Sequence, residues 1–263
     1  MHRGAALQFG AAASRVEVLL NDAALNSPSG PVLSVARLSV SYGSIRALDD
    51  INFDIGVGEV VALIGANGAG KSSLLKALAG QIRHTGDVVI GGRNCHHLDR
   101  HVVGYIPQVS SADHSFPIRV RDVVLSGRRR FGRLGFRPGH TDIAAVESCL
   151  EQVGLADLAD RPLSNLSGGQ QQRVMLARAL AQETDILLLD EAASGVDERR
   201  ADALIDTFDM LADRGKSVLI SSHNVAFVKR RFKRCIGINT SLLTDGNPSE
   251  VLDADTLTSL LSK

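Results

Sequence analysis

The sequence predicts an α/β fold: a phosphate-loop core that carries an antiparallel β subdomain and an inserted α-helical subdomain. Three observations predict it. An apolar run, Val60-Val61-Ala62-Leu63-Ile64, leads straight into the glycine-rich segment Gly65-Ala66-Asn67-Gly68-Ala69-Gly70-Lys71-Ser72-Ser73. Upstream, residues 32–55 alternate apolar and polar, and downstream a stretch of different character, about 109–165, breaks a series of short apolar runs. A continuous apolar run reads as a buried strand, and alternation reads as an antiparallel strand with one wet face.

The glycine-rich segment fits the pattern G-x-x-x-x-G-K-[ST]. Its flanks agree: a strand precedes it, and Leu74-Leu75-Lys76-Ala77-Leu78-Ala79, strong helix formers stopped by Gly80, follow it. Strand, glycine loop and helix make the P-loop NTPase core. Glycines let backbone N–H groups approach phosphate oxygens, and the helix start adds partial positive charge. Lys71 reaches the outer phosphates as a point charge, and Ser72 offers a hydroxyl to Mg²⁺. The loop alone says nucleotide binder, which covers kinases, GTPases and ATPases alike.

Composition narrows the field. The 263 residues suffice for one large domain or two small lobes, and the formal net charge of zero gives no global basic field for nucleic acid or membrane lipid. Apolar runs fall well short of the ~20 residues of a membrane-spanning helix, so the chain is expected to be soluble by itself. The three cysteines, Cys95, Cys149 and Cys235, are too dispersed for a metal knuckle and odd in number, and are read as reduced thiols in a cytosolic setting.

Taken in order, residues 1–31 read as a flexible extension ending in Ser27-Pro28-Ser29-Gly30-Pro31, with no apolar core of a signal peptide. Strands follow, marked by Leu33 and Val35, then Leu38 and Val40, then Ile51, Phe53 and Ile55. Tyr42-Gly43 is placed in the turn after the second, where an exposed aromatic either packs or stacks on a purine ring. Val88-Val89-Ile90 and Val102 to Ile106 are two more strands. His96, His97 and His101 lie between them and are read as a solvated loop, since no nearby Cys or paired acid completes a ligand set.

Gln108 follows directly. Arg128, Arg129, Arg130, Arg133 and Arg137 then make a charged loop, either a solvated face or a contact for an acidic partner or lipid headgroups. Thr141 is the expected N-cap of a helix with Ile143, Val146, Leu150 and Val153 on one face, closing at Gly154.

Ser167-Gly168-Gly169-Gln170 opens another helix, a second anion-binding N-terminus. Ile186 to Leu189 is an apolar strand ending in Asp190-Glu191, where ligands bind in parallel sheets. There Asp190 would hold Mg²⁺, and Glu191 would orient or deprotonate an attacking water. Ser194 to Asp197 makes a turn, a helix with Leu204, Ile205, Phe208 and Leu211 on one face follows, and the strand Ser217 to Ser222 delivers His223 to the same sheet edge. A strand pair (Ile236 to Asn239, Leu242 to Thr244) and an amphipathic tail helix with Val251, Leu257, Leu260 and Leu261 complete the chain.

With Leu166 to Arg173 in hand, beside the loop at Gly65 and the acids at Asp190-Glu191, the chain strongly resembles the ATP-binding subunit of ABC transporters over about residues 32–252. The resemblance implies a domain over 32–252 with a helical insert at about 109–168 and a helical tail over 253–263. It implies ATP and Mg²⁺ as cofactors. Tyr42 matches the adenine-stacking aromatic, and Gly65, Ala66, Asn67, Gly68, Ala69, Gly70, Lys71, Ser72 and Ser73 match the phosphate loop. Gln108 matches the glutamine linking Mg²⁺ and the attacking water to the permease. Asp190 and Glu191 match the metal-binding acid and the general base, Asp197 the dimer-contact aspartate, and His223 the γ-phosphate histidine. It further implies that two copies close head-to-tail, with Ser167, Gly168, Gly169 and Gln170 of one completing the site of the other.

Partners implied are an integral-membrane permease, a second ATP-binding subunit and, indirectly, an extracytoplasmic solute-binding protein. The implied place is the cytoplasmic face of the membrane, peripherally. Pro107-Gln108, Asp113, Phe116-Pro117, Val120 to Val124 and Gly127-Arg128 resemble the subfamily serving manganese, zinc and iron importers, where these residues face the permease. Ala192 for the usual proline, Asn224 for an aspartate, His114 for an aromatic and Ser73 for a threonine depart from the pattern, and none removes a catalytic group. Two other readings are a soluble ABC ATPase of DNA repair or translation, and a transporter ATPase for siderophores or an exported solute. One motif set and no long heptad run argue against the soluble reading.

Overall fold

The computed structural model describes residues 30–94, 103–107, 118–128, 137–191 and 198–261. The extension up to residue 29, Cys95, the three histidines between 96 and 101, His114, and Arg129, Arg130 and Arg133 lie outside the described residues.

The antiparallel subdomain begins with β1 (Leu33–Tyr42), β2 (Ile45–Ile55), β4 (Thr85–Ile90) and β5 (Arg93–Asn94), arranged β2-β1-β4-β5. The apolar spacing predicts two strands where β1 stands. It is one strand, bent at Arg37, which takes φ 54°, and the pairing with β2 shifts between Val35 and Leu38. This bulge inserts one residue, so Leu33, Val35, Leu38 and Val40 all face inward although their spacing changes from two to three. Tyr42 is therefore the last residue of β1 itself, with only Gly43 and Ser44 in the turn before β2.

The second sheet contains β3 (Val60–Ile64), β6 (Val103–Ile106), β7 (Ile186–Leu189), β8 (Ser217–Ser222), β9 (Arg234–Asn239) and β10 (Ser241–Gly246). Its order is β10-β9-β3-β8-β7-β6, all parallel except the β10 edge. Both faces are covered. Ala62, Ile64, Leu187, Leu189, Val218 and Ile220 pack on the helical side, while Val61, Leu63, Ile186, Leu188 and Leu219 pack toward the antiparallel sheet. A strand buried on both faces needs apolar side chains at every position, which is why these segments read as unbroken apolar runs.

Helices fill the connections: α1 (Lys71–Leu78), α2 (Val120–Leu125), α3 (His140–Gln152), α4 (Gly168–Ala181), α5 (Glu198–Ala212), α6 (Val225–Arg231), α7 (Pro248–Val251) and α8 (Ala254–Leu261). Among the described residues no helix is long and apolar enough to cross a membrane.

Several expectations change here. The helix α3 is capped at Gly139, not Thr141: the Asp142 carboxylate reaches back to accept the Gly139 N–H at 2.9 Å. Asp142 is the better acceptor because its longer, charged side chain reaches an orphan N–H of the first turn. Ile143, expected on the inner face, is 45% exposed. Arg128 is not a solvent-facing cation: it donates to Asp142 at 3.0 Å and to the Ala181 carbonyl at 3.2 Å, and pairs with Glu183 at 2.6 Å. It ties the start of α3 to the end of α4, and Val120, Val123 and Val124 beside it are buried. Within Val120 to Arg128, the valines and Gly127 pack inward, while Arg121 and Asp122 stay exposed. Finally, the tail is two short helices, broken at Leu252 and Asp253, and Leu252 and Leu260 are core residues. Cys149 and Cys235 are buried free thiols, each pushed up to about 11 chiefly by burial.

Candidate active site

Register in the parallel sheet assembles the site. Ile64 pairs with Ser222, and Leu189 pairs with Ile220. The loop at Gly65, the acids at Asp190-Glu191 and His223 therefore leave the sheet at one edge, at the carboxyl ends of the strands, where α/β sheets bind ligands.

The glycine loop is held from several sides. A Cβ on Gly65 would stand 2.3 Å from the Ile238 carbonyl oxygen, so this first glycine is a matter of space. Gly70 has φ 100°, and a Cβ there would meet Leu48 Cδ2 at 2.6 Å. Below the loop, the Ala69 carbonyl accepts the Thr240 N–H at 3.1 Å, and the Ala66 N–H donates to the Leu260 carbonyl at 3.0 Å. Asn67, Gly68 and Ser72 remain exposed, and Ser73 is half-buried at the start of α1.

Lys71 is 5% exposed and folds over the loop, donating to the carbonyls of Gly65 at 2.8 Å and Ala66 at 2.9 Å. Burial pulls its ammonium below the ordinary lysine value, while the carboxylates of Glu191 and Asp190 act in the opposite direction. Lysine and both acids thus share one electrostatic site. Tyr42 is half exposed, and its hydroxyl lies 3.3 Å from Ser73 Oγ, which places its ring beside the loop.

Asp190 is 4% exposed. Glu191 takes φ 49°, an uncommon conformation for a residue with a side chain. Its carboxylate stands 3.9 Å from His223 Nδ1, and His223 itself is exposed. Two hydroxyl groups at Asp190 escaped the sequence reading. Ser221 accepts the Glu191 N–H at 2.7 Å and donates to Asp190 Oδ1 at 3.0 Å. The Tyr105 hydroxyl is buried without a well-formed hydrogen bond. Burial first, and then the nearby Asp190 charge, push this phenol up to about 12. The available signal was a polar residue near the end of an apolar strand: Ser221 in β8 and Tyr105 in β6.

Ser167 to Gln170 lie on the helical side. Ser167 caps α4, accepting the Gln170 N–H at 3.4 Å, while the Gln170 side chain accepts the Ser167 N–H at 2.9 Å. Gly168 and Gly169 have nothing within 4 Å of where a Cβ would stand, so this helix start is open to an approaching group. A cavity of about 500 Å³ beside it is lined by residues including Ser167, Gln170, Arg173, Leu204 and Thr207, and by none of Lys71, Asp190, Glu191 or His223. The structure therefore brings together Tyr42, residues 65–73, Asp190, Glu191 and His223, and sets Ser167 to Gln170 apart. Gln108 and Asp197, with Ala192, lie outside the described residues.

The profile described as ABC transporter matches residues 48–194. The manganese transport system ATP-binding protein MntB of Halalkalibacterium halodurans is 38% identical over 223 residues, covering 84% of this chain and 88% of that protein. The zinc transport system ATP-binding protein TroB of Treponema pallidum is 39% identical over 223 residues, covering 84% and 83%. Among solved structures, the ADP conformation of MJ1267, an ATP-binding cassette of an ABC transporter, superposes with a TM-score of 0.78 at 21% identity, over 89% of this chain and 99% of that one, a likeness of fold.

Proposed function

The chain belongs to the ABC transporter family, and from that premise we propose how its residues divide the work and what the transporter carries. As a member it binds nucleotide and hydrolyses ATP to energise transport. The proposed cargo is a transition metal or metal chelate taken up through a membrane permease. Relatives named for manganese and zinc transport, aligned over most of both chains, support that cargo. This chain would sit peripherally on the cytoplasmic face of the permease and would not touch the metal.

The observation that carries the assignment is the buried Lys71 lying in the field of Asp190 and Glu191. In our reading, backbone N–H groups of the glycine loop and the Lys71 ammonium cradle the phosphates, and Tyr42 stacks on the adenine. Lys71 would exchange its two loop carbonyls for phosphate oxygens when ATP enters. Glu191 takes the proton of the attacking water, and His223, at the same edge, faces the terminal phosphate. Gln108 and Asp197 keep the roles the family gives them. The donor set of the Ser72 hydroxyl and the Asp190 carboxylate consists of hard oxygens and suits Mg²⁺, which would neutralise phosphate charge. Because Ser167 to Gln170 stand apart from this cluster, a second copy supplies them.

Three measurements test this. Lys71→Ala should weaken equilibrium ATP binding by at least roughly tenfold, about 1.4 kcal/mol; an unchanged binding curve would refute the role of Lys71. Cells carrying only Glu191→Gln should lose manganese, zinc or iron by elemental analysis, and the chain should co-purify with a multi-span membrane protein. Normal metal content would overturn the cargo. Absence from membranes that hold every neighbouring gene product would favour the soluble reading.

A further inference from the structure

We infer that Ser221 is a positioning residue for ATP hydrolysis, one hydroxyl fixing both the backbone of Glu191 and the carboxylate of Asp190. The inference rests on the roles proposed above for these two acids.

Ser221 lies in β8, 1% exposed, next to the end of β7. Its oxygen receives the Glu191 N–H at 2.7 Å and its proton goes to Asp190 Oδ1 at 3.0 Å. Chemistry fixes both directions: a backbone N–H only donates and a carboxylate only accepts, so the single hydroxyl proton has one destination. Asp190 is thereby held through one oxygen, and Ser221 leaves the other to a different partner.

The Glu191 end of the bridge carries the functional weight. Glu191 holds φ 49°, a region that crowds any Cβ. Its N–H bond to Ser221 anchors that backbone, and the backbone aims the carboxylate that faces His223 at 3.9 Å. The residue after Glu191 is Ala192, so no proline ring restricts the next φ. Among the described residues, the Ser221 hydroxyl is a restraint that acts directly on the Glu191 backbone. Its contacts run to the acids, whereas Lys71 is held by the Gly65 and Ala66 carbonyls and the glycine loop is bonded to Thr240 and Leu260. Loss of the hydroxyl should therefore disturb turnover and leave nucleotide binding in place.

The test uses the full chain, with steady-state ATPase at varied MgATP, equilibrium ATP binding and thermal denaturation. Ser221→Ala should lower kcat by roughly tenfold or more, with KM and equilibrium affinity within about threefold of wild type. Ser221→Thr, which keeps the hydroxyl, should recover most of the lost turnover. Should Ser221→Ala fail to fold, Ser221→Cys, close in size with a weak donor, takes its place in the same assays. A kcat of the hydroxyl-less variant within twofold of wild type overturns the inference. So does an affinity that falls in parallel with kcat, or a folded, ATP-binding Ser221→Thr as slow as Ser221→Ala. Glu191→Gln in the same series separates the two levels: if it turns over normally, the assignment of the acids fails. If it is inactive while Ser221→Ala is normal, only the role of Ser221 fails.

Discussion

The carbonyl of Leu260 accepts the Ala66 N–H at 3.0 Å, so the last turn of α8 is bound to the phosphate loop. Two further features hold that helix in place. Asn239 donates to the Ser259 carbonyl at 3.0 Å, and Gly237 leaves the space that the Leu260 side chain enters, since a Cβ there would stand 2.9 Å from Leu260 Cδ2. Leu260→Ala should cost about 2–5 kcal/mol, the usual range for a buried leucine. At roughly 2–4 °C per kcal/mol, calorimetry should register a clear drop in midpoint. Gly237→Val should mimic it from the other side, and both should weaken ATP binding severalfold. Full affinity in a destabilised Leu260→Ala chain would show that the contact supports the fold alone.

That contact also marks the limit of what the sequence made legible. Strand β3, the loop and α1 were readable because each obeys a local rule: an unbroken apolar run, glycines before Lys71, then helix formers. Asp190-Glu191 and His223 were readable for the same reason, each ending an apolar strand. The Arg37 bulge was hidden because a spacing of three between Val35 and Leu38 looks like a strand break. Asp142 was passed over for Thr141 since both are good caps, and Arg128 decides between them from another element. Ser221, Tyr105 and Leu260 act through partners at least thirty positions away, and no local pattern carries that.

The Asp142 cap gives a pH-dependent prediction. Its hydrogen bond from Gly139, and next the one from Arg128, hold its carboxyl below the ordinary 3.8. A carboxyl with a depressed folded value stabilises fully above 3.8 and loses that contribution as pH falls through the folded value. Asp142→Asn keeps a cap oxygen but loses the charge, and should cost about 1–2 kcal/mol near neutrality. The difference in melting midpoint between the two chains should stay flat from pH 7 to about 5 and close below about pH 4. A gap that widens in acid would contradict the assignment.

Tyr42 supplies a prediction about the base. Its half-exposed ring stands beside Ser73, and stacking of a base on an aromatic is worth about 1–3 kcal/mol. Tyr42→Ala should weaken ATP at least roughly fivefold, and leave inorganic tripolyphosphate, which has no base, bound as before. Tyr42→Phe should behave as wild type, because the ring and not the 3.3 Å hydroxyl contact does the recognising. Equal losses for ATP and tripolyphosphate would place Tyr42 in support of the loop instead.

The separation of Ser167 to Gln170 from the acids leads to the last prediction. In one chain the Ser167 and Gln170 side chains each accept the other residue's backbone N–H, while Gly168 and Gly169 lie open, as an anion-binding helix start would before its ligand arrives. If ATP on the loop of one copy is that ligand, blocking hydrolysis should make the pair long-lived. Glu191→Gln keeps the size of the side chain and removes its basicity, so ATP binds and the proton is not taken. Sedimentation with ATP and Mg²⁺ should show this variant as a dimer, reverting to monomer with ADP. Adding Ser167→Arg, which fills the open helix start with a long side chain, should return it to monomer without changing the ATP affinity of a single copy. A Glu191→Gln chain that stays monomeric with saturating ATP, or a dimer indifferent to Ser167→Arg, would place the completing groups elsewhere than Ser167 to Gln170.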